Sequence, residues 1–228
     1  MKIQGIEKVS FVDYEGKICA TIFTGGCNFR CPFCHNSSIV NQTAEIHNEG
    51  EILSYLAERK TLLDGVTISG GEPCLQPDLL QFIQKIKEMG FSVKLDTNGT
   101  FPAKVEQLLQ SKLVDYIAVD IKNSFNDYSA ITGIPNPQTE NIKKTLKILK
   151  EYKIPYELRT TLVKEFHSEE NIKEIASFLA GEEILYLQKF VDSGDCLACG
   201  LHEVEKNEAE KWQKILSEKI KKVTLRGY

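Results

Sequence analysis

From residue 17 to residue 190 the chain repeats one pattern: a short β-branched, apolar run, then a longer stretch with apolar residues at helical spacing. The strand-like runs are 17–24, 66–68, 91–95, 114–121, 156–163 and 184–190. Helical patterns lie between them at 51–60, 77–89, 102–110, 139–151 and 168–180, and a last one comes at 203–221. Their apolar stripes are Ile52, Leu53, Leu56 and Leu63; Leu79, Leu80, Ile83 and Ile86; Ile142, Leu146 and Leu149; and Trp212, Ile215, Leu216 and Ile220. Ser168 reads as an N-cap. Residues 2–11 read as a strand or hairpin arm that turns at Asp13-Tyr14-Glu15-Gly16. Strands alternating with helices imply parallel strands joined by right-handed crossovers, in a doubly wound sheet or an incomplete barrel. No low-complexity segment or linker interrupts the series, so one domain is expected: an arm at 1–16, the barrel at about 17–191, and a C-terminal extension with a helix at about 192–228.

With 228 residues the chain can bury a full core and needs no disulfide staples. Lys and Arg number 28 against 32 Asp and Glu, a net charge of −4 that argues against nucleic-acid binding through bulk charge and leaves room for a local basic patch. No apolar run approaches the roughly 18 residues of a membrane span, and the N-terminus has no signal-peptide core, so a cytoplasmic protein without membrane partners is expected. The seven cysteines are an odd number and cannot all pair within one chain. In a reducing compartment, clustered cysteines point to metal binding or catalysis.

Both parallel architectures place an active site at the C-terminal ends of the strands, and the chemically distinctive residues fall there. Cys27, Cys31 and Cys34 follow the first strand of the series, Gly70-Gly71-Glu72 the second, and Asp96-Thr97-Asn98-Gly99 the third. Asp120-Ile121-Lys122 closes the fourth, and Arg159 lies within the fifth. The cysteine spacing is C-x3-C-x2-C. Three thiolates on one short loop can hold three irons of a cubane and leave the fourth open to a ligand. A zinc site that adds His35 is the alternative.

Gly70 and Gly71 permit close backbone approach to a ligand, or simply form a turn. Two acids at neighbouring strand ends repel and need a cation or hydrogen-bond donors, unless Lys122 pairs with one of them. Arg159 needs an anionic partner, either a ligand group or a structural ion pair. Cys19 and Cys74 read as packing residues, and His47, His167 and His202 as surface residues. Cys196-x2-Cys199 is half of a metal site, a redox pair or two inert thiols.

The segments GGCNFRCPFCHN, TISGGEP, LDTNGT, VDIK and ELRTT followed by EFHSEENI resemble the radical S-adenosylmethionine (SAM) superfamily over nearly the whole chain. Within it they are most similar to the glycyl radical enzyme activases, in particular the activating proteins of anaerobic (class III) ribonucleoside-triphosphate reductase. The resemblance implies an α/β fold, a partial (β/α)6 TIM-like barrel. It also implies a 4Fe–4S cluster on Cys27, Cys31 and Cys34 whose electron cleaves SAM to methionine and a 5′-deoxyadenosyl radical. That radical would abstract a glycine Cα hydrogen from a glycyl radical enzyme, with flavodoxin or ferredoxin as electron donor. By the same resemblance Phe33 contacts adenine, and the Gly70-Gly71-Glu72 stretch holds the SAM amino group. Asp96 and Asp120 bind a monovalent cation beside the SAM carboxylate, with backbone oxygens of Lys122 and Asn123, and Asn98, Lys122 and Arg159 join the cofactor contacts. An activase of the pyruvate formate-lyase type, a small-molecule enzyme such as 7-carboxy-7-deazaguanine synthase, and a zinc- or cluster-binding module are the alternatives.

Overall fold

The computed structural model of the chain describes residues 1–192 and 194–228. In chain order the elements are β1 (Ile3–Ser10), β2 (Cys19–Thr24), α1 (Ser37–Val40), α2 (Glu49–Glu58) and β3 (Gly65–Gly70). A 3-10 turn (Pro73–Leu75), α3 (Leu79–Glu88), β4 (Ser92–Thr97), α4 (Pro102–Gln110) and β5 (Tyr116–Asp120) come next. Then come α5 (Tyr128–Thr132), α6 (Thr139–Tyr152), β6 (Tyr156–Leu162), α7 (Glu169–Phe178), β7 (Ile184–Lys189), α8 (Lys206–Ser217) and β8 (Lys222–Arg226). The strands are ordered β1 to β8 in one sheet, and among the described residues β1 and β8 are its edges, so the sheet is open. A doubly wound sheet reverses its strand order at a switch point, and this order has no reversal.

The chain divides into two compact units. The first comprises Met1–Asn28, Ser38–Ala118 and Glu140–Tyr156. Here β1 pairs antiparallel with β2, and β2, β3 and β4 pair in parallel with Ala20 opposite Val66 and Val66 opposite Val93. Strands covered on both faces read as continuous apolar runs, and Ala20, Ile22, Val66, Ile68, Val93 and Leu95 are all fully buried. Helix α3 buries Leu79, Phe82, Ile83 and Ile86, so Phe82 takes the place that the periodicity assigned to Leu80. Helix α2 starts two residues before its apolar stripe suggests, because Asn48 Oδ1 accepts from the backbone N–H groups of Gly50 and Glu51.

The second unit comprises Phe29–Ser37, Val119–Thr139 and Glu157–Tyr228. Strands β6, β7 and β8 pair in parallel, with Leu158 opposite Leu185 and Leu185 opposite Val223. The last helix, expected over 203–221, is shorter, and the chain passes from it into a strand. Ala209, Trp212 and Leu216 form the buried face of the helix, Ile220 is buried beyond its end, and Ile215 is half-buried. β7, α8 and β8 thus form one more crossover unit. Ser168 caps α7 as predicted, in a reciprocal box with Asn171. The Asn171 Oδ1 accepts from Ser168 N at 3.0 Å and its Nδ2 donates to Ser124 Oγ at 3.1 Å and to Asp127.

Among the described residues no helix is long and apolar enough to cross a membrane.

The two caps differ in burial, and their removal should differ in cost. Asn48→Ala should lower the unfolding free energy by about 1 kcal/mol, whereas Asn171→Ala, which removes a buried side chain and its bond to buried Ser124, should lower it by about 2–3 kcal/mol. Urea unfolding of the two variants checks the order.

Candidate active site

In the first unit, the backbone around Gly25-Gly26 is fastened from several sides. Gly25 N donates to Lys2 O at 3.0 Å, Gly26 N to Ile39 O at 3.0 Å, and Gln76 Nε2 to Gly25 O at 2.8 Å. Glu72 N donates to Gly26 O at 2.8 Å and Gly71 N to Thr24 O at 2.9 Å. A Cβ on Gly71 would stand 1.9 Å from Gly26 O, so the close approach of these two segments requires glycine there. Gly70 has φ +110°, a conformation that L side chains rarely adopt.

The Glu72 side chain is fully buried. One oxygen accepts from Cys74 N at 3.0 Å and Thr97 Oγ1 at 2.8 Å, and the other accepts from Asn98 N at 2.7 Å. Burial pushes its carboxyl up, and the donors on Asn98, Cys74 and Thr97 pull it back only in part. Asn98 extends the network: its Oδ1 accepts from Thr100 N at 3.0 Å and its Nδ2 donates to Asn28 Oδ1 at 2.8 Å. Asn28 in turn donates to Thr100 Oγ1 at 2.9 Å. Asn98 therefore holds the residue next to half-buried Cys27. Asp96 Oδ2 accepts from Ser69 Oγ at 3.1 Å, and Lys94 Nζ lies 3.8 Å from its Oδ1.

In the second unit, Cys31 is buried and Cys34 half-buried, with Cys34 N donating to Cys31 O at 3.0 Å. Burial pushes the Cys31 thiol up to about 11. Arg30 N donates to Thr132 O at 2.8 Å. Gly133, with φ +66°, ends α5 so close to this loop that a Cβ would stand 2.4 Å from Arg30 O. Phe33 is buried, with Lys122 Nζ 5.8 Å and the Phe166 ring 6.5 Å from its centroid.

Asp120 carries two cations of the chain itself. Lys122 Nζ lies 2.9 Å from Oδ2, and Arg159 Nε lies 2.8 Å from Oδ1. Burial alone would raise this carboxyl; Arg159 and Lys122 outweigh it and hold the group well below the usual carboxylate range. The open choice for Lys122 and Arg159 therefore resolves, in this structure, to ion pairs with one aspartate.

His167 corrects its reading as a surface residue: it is buried. Its Nδ1 accepts from Val163 N at 3.1 Å, which leaves Nε2–H to donate to Lys122 O at 3.0 Å. Lys122 N is bonded to Tyr128 Oη at 3.1 Å, so both backbone groups of Lys122 are held by buried rings. Sequence reasoning missed His167, Tyr128 and Asn28 as parts of these networks. The only signals were the place of Asn28 beside Cys27 and of His167 beside the Ser168 cap. His35, considered as a zinc ligand, is exposed. Among the described residues no three His, Cys, Asp or Glu side chains are grouped as one metal ion would require. The three thiolates of a cubane each take a different iron and carry no such requirement.

Residues 21–179 match the model of the radical SAM superfamily. A Methanocaldococcus jannaschii protein that carries the name of a glycyl-radical enzyme activating enzyme is 35% identical over 98% of this chain and 95% of its own. The chain belongs to the radical SAM superfamily, among the glycyl-radical enzyme activating enzymes. The pyruvate formate-lyase-activating enzyme of Clostridium pasteurianum is 34% identical over 78% of this chain and 76% of its own. Among solved structures, a radical SAM methyltransferase from Sphaerobacter thermophilus superposes with a TM-score of 0.72 at 17% identity, over 96% of this chain and 69% of that one. Streptococcus suis SuiB bound to precursor peptide SuiA gives 0.70 at 16% identity, over 91% of this chain and 48% of that one. These likenesses bear out the radical SAM type of α/β fold. Membership implies a 4Fe–4S cluster and SAM, and the donor set fits them: three cysteines close together in sequence, none of them in a disulfide, and a fixed glycine turn.

Burial lowers the His167 ring to about 4 from its ordinary 6.5. Between those values the unfolded chain binds the extra proton, so stability should fall as the pH drops through that window. Asp120, held low, contributes above its unfolded value of 3.8 and loses that contribution only at more acid pH. Denaturation at stepped pH should show His167→Gln, which keeps a donor and an acceptor, removing a loss of up to about 3 kcal/mol.

Proposed function

We propose that this chain installs a glycyl radical on a partner glycyl radical enzyme, and that the partner is an anaerobic ribonucleoside-triphosphate reductase. The end-to-end likeness to a glycyl-radical enzyme activating enzyme, over 98% of this chain and 95% of the relative, carries the reading. Cys27, Cys31 and Cys34 would hold the cluster. Bound cluster and SAM supply an electron and a 5′-deoxyadenosyl radical able to take a hydrogen from a glycine Cα.

The chain's own residues bind and orient. The Gly70-Gly71 stretch packs directly on the backbone of Thr24 and Gly26, which leads into Cys27, and Glu72, fully buried, fixes that turn. The cations Lys122 and Arg159, held beside Asp120, suit the carboxylate of an amino-acid ligand. The same two cations compete with a monovalent cation for Asp120. Phe33 presents a buried ring for an adenine, held from behind by Phe166. The electron donor in this reading is a flavodoxin or ferredoxin.

A pyruvate formate-lyase is the second reading, favoured by the Clostridium pasteurianum relative at 34% identity. Anaerobically reconstituted protein, SAM and a low-potential reductant should give a glycyl radical signal in electron paramagnetic resonance with one of the two candidate targets. A signal on the reductase supports the first reading and a signal on the lyase the second. SAM cleavage with no signal on either overturns both. Ala at Cys27, Cys31 or Cys34 should abolish SAM cleavage, and Cys199→Ser should not.

A further inference from the structure

We propose that Cys196 and Cys199 form a thiol–disulfide site whose state is transmitted to the Cys31–Cys34 loop. Neither is in a disulfide, Cys196 is half-buried and Cys199 exposed, and neither has a part in the activity described above. Three contacts sew their segment onto that loop. Ser37 Oγ donates to Asp195 Oδ1 at 2.8 Å, Ala198 N donates to Pro32 O at 2.9 Å, and the Cys196 thiol lies 3.8 Å from Phe33 O as its donor. On its far side the segment is anchored to the end of β6. Lys164 N donates to His202 O at 3.0 Å, and His202 N donates to Glu165 Oε2 at 3.0 Å. The pair thus sits in a short stretch held at both ends, and the residues it touches on the loop flank Cys34.

The chemistry comes from exposure. The Cys199 thiolate attacks one sulfur of an incoming disulfide, low-molecular-weight or carried by a C-x-x-C protein. A mixed disulfide forms and the first thiol leaves with its electron pair and takes up a proton. Cys196 then gives up its proton, attacks Cys199 Sγ and expels the second thiol. Two protein thiols are oxidised and one disulfide is reduced to two thiols.

The coupling is geometric. Closing the bond removes the hydrogen that Cys196 donates to Phe33 O and turns its sulfur toward Cys199. Ala198 lies between the two cysteines, so ring closure also reorients the N–H that holds Pro32 O. The contacts of Cys196 and Ala198 with the loop therefore change with the redox state. The pairing itself requires no particular target enzyme, and the coupling requires only the cluster reading of Cys31 and Cys34.

Cluster-loaded protein, with iron uptake measured first, is equilibrated anaerobically in mixtures of reduced and oxidised glutathione, acid-quenched, alkylated and mapped by mass spectrometry. Cys196 and Cys199 should lose alkylation together and appear as one intramolecular disulfide. Cys196→Ser should accumulate glutathione on Cys199, because the resolving thiol is missing. Independent alkylation at every ratio, or a bond from Cys196 to Cys34, overturns the pair. Iron release to a chelator should differ severalfold between the closed and open forms and should not respond to the buffer in Cys199→Ser. Equal release rates with the disulfide demonstrably closed overturn the coupling. A chain that takes up no iron overturns both the cluster reading and the coupling, while the paired thiol loss is still scored.

Discussion

The buried carboxylate of Glu72 is the interaction on which the order of the first unit's loops depends. Each hydrogen bond from a neutral donor to a buried charge contributes on the order of 1.5–3 kcal/mol, and an ionised carboxylate without such donors would not remain charged. Three donors reach it: from the 3-10 turn that it caps, from the side chain that ends β4, and from the backbone of Asn98. Its own N–H binds Gly26 O. One residue therefore fastens the glycine turn, the 3-10 turn, the end of β4 and the backbone that leads into Cys27. A carboxylate with no exposed surface acts through the backbone it fixes, so the role that the geometry gives Glu72 is positioning.

The fold was legible where local and tertiary signals agree. The strands of the parallel series were readable because apolar, β-branched runs covered on both faces look like little else. α4 was readable to its ends because Pro102 starts it. β8 was not, because Lys222–Arg226 follows a Lys-rich stretch without turn residues and reads as a continued helix; pairing with β7 decides it. α1 and α5 are too short to show periodicity. His167 was misread because a polar residue after a strand is exposed by default. Its burial rests on two backbone groups, Val163 N and Lys122 O, that no side-chain pattern announces.

At the site, the residue types were legible and their partners were not. Asp120, Lys122 and Arg159 stood out as charges at strand ends, but sequence left open whether they face one another or a ligand. Spacing cannot decide that. Lys122 is two residues from Asp120, and Arg159 reaches the same carboxylate from β6.

The glycines show most clearly why a motif is only partly visible. Gly70 and Gly71 were conspicuous because two glycines beside an acid after a strand form a recognisable string. Gly133 was not, because it stands alone after a helix too short to show periodicity; in the structure it is a C-cap whose φ of +66° ends α5 in the left-handed region. The same residue meets a second, unrelated requirement, since any Cβ would stand 2.4 Å from Arg30 O. A cap alone tolerates Asn, but a cap pressed against the backbone beside Cys31 does not. The contact that makes Gly133 indispensable joins segments far apart in sequence, so it belongs to the tertiary structure and leaves no local trace.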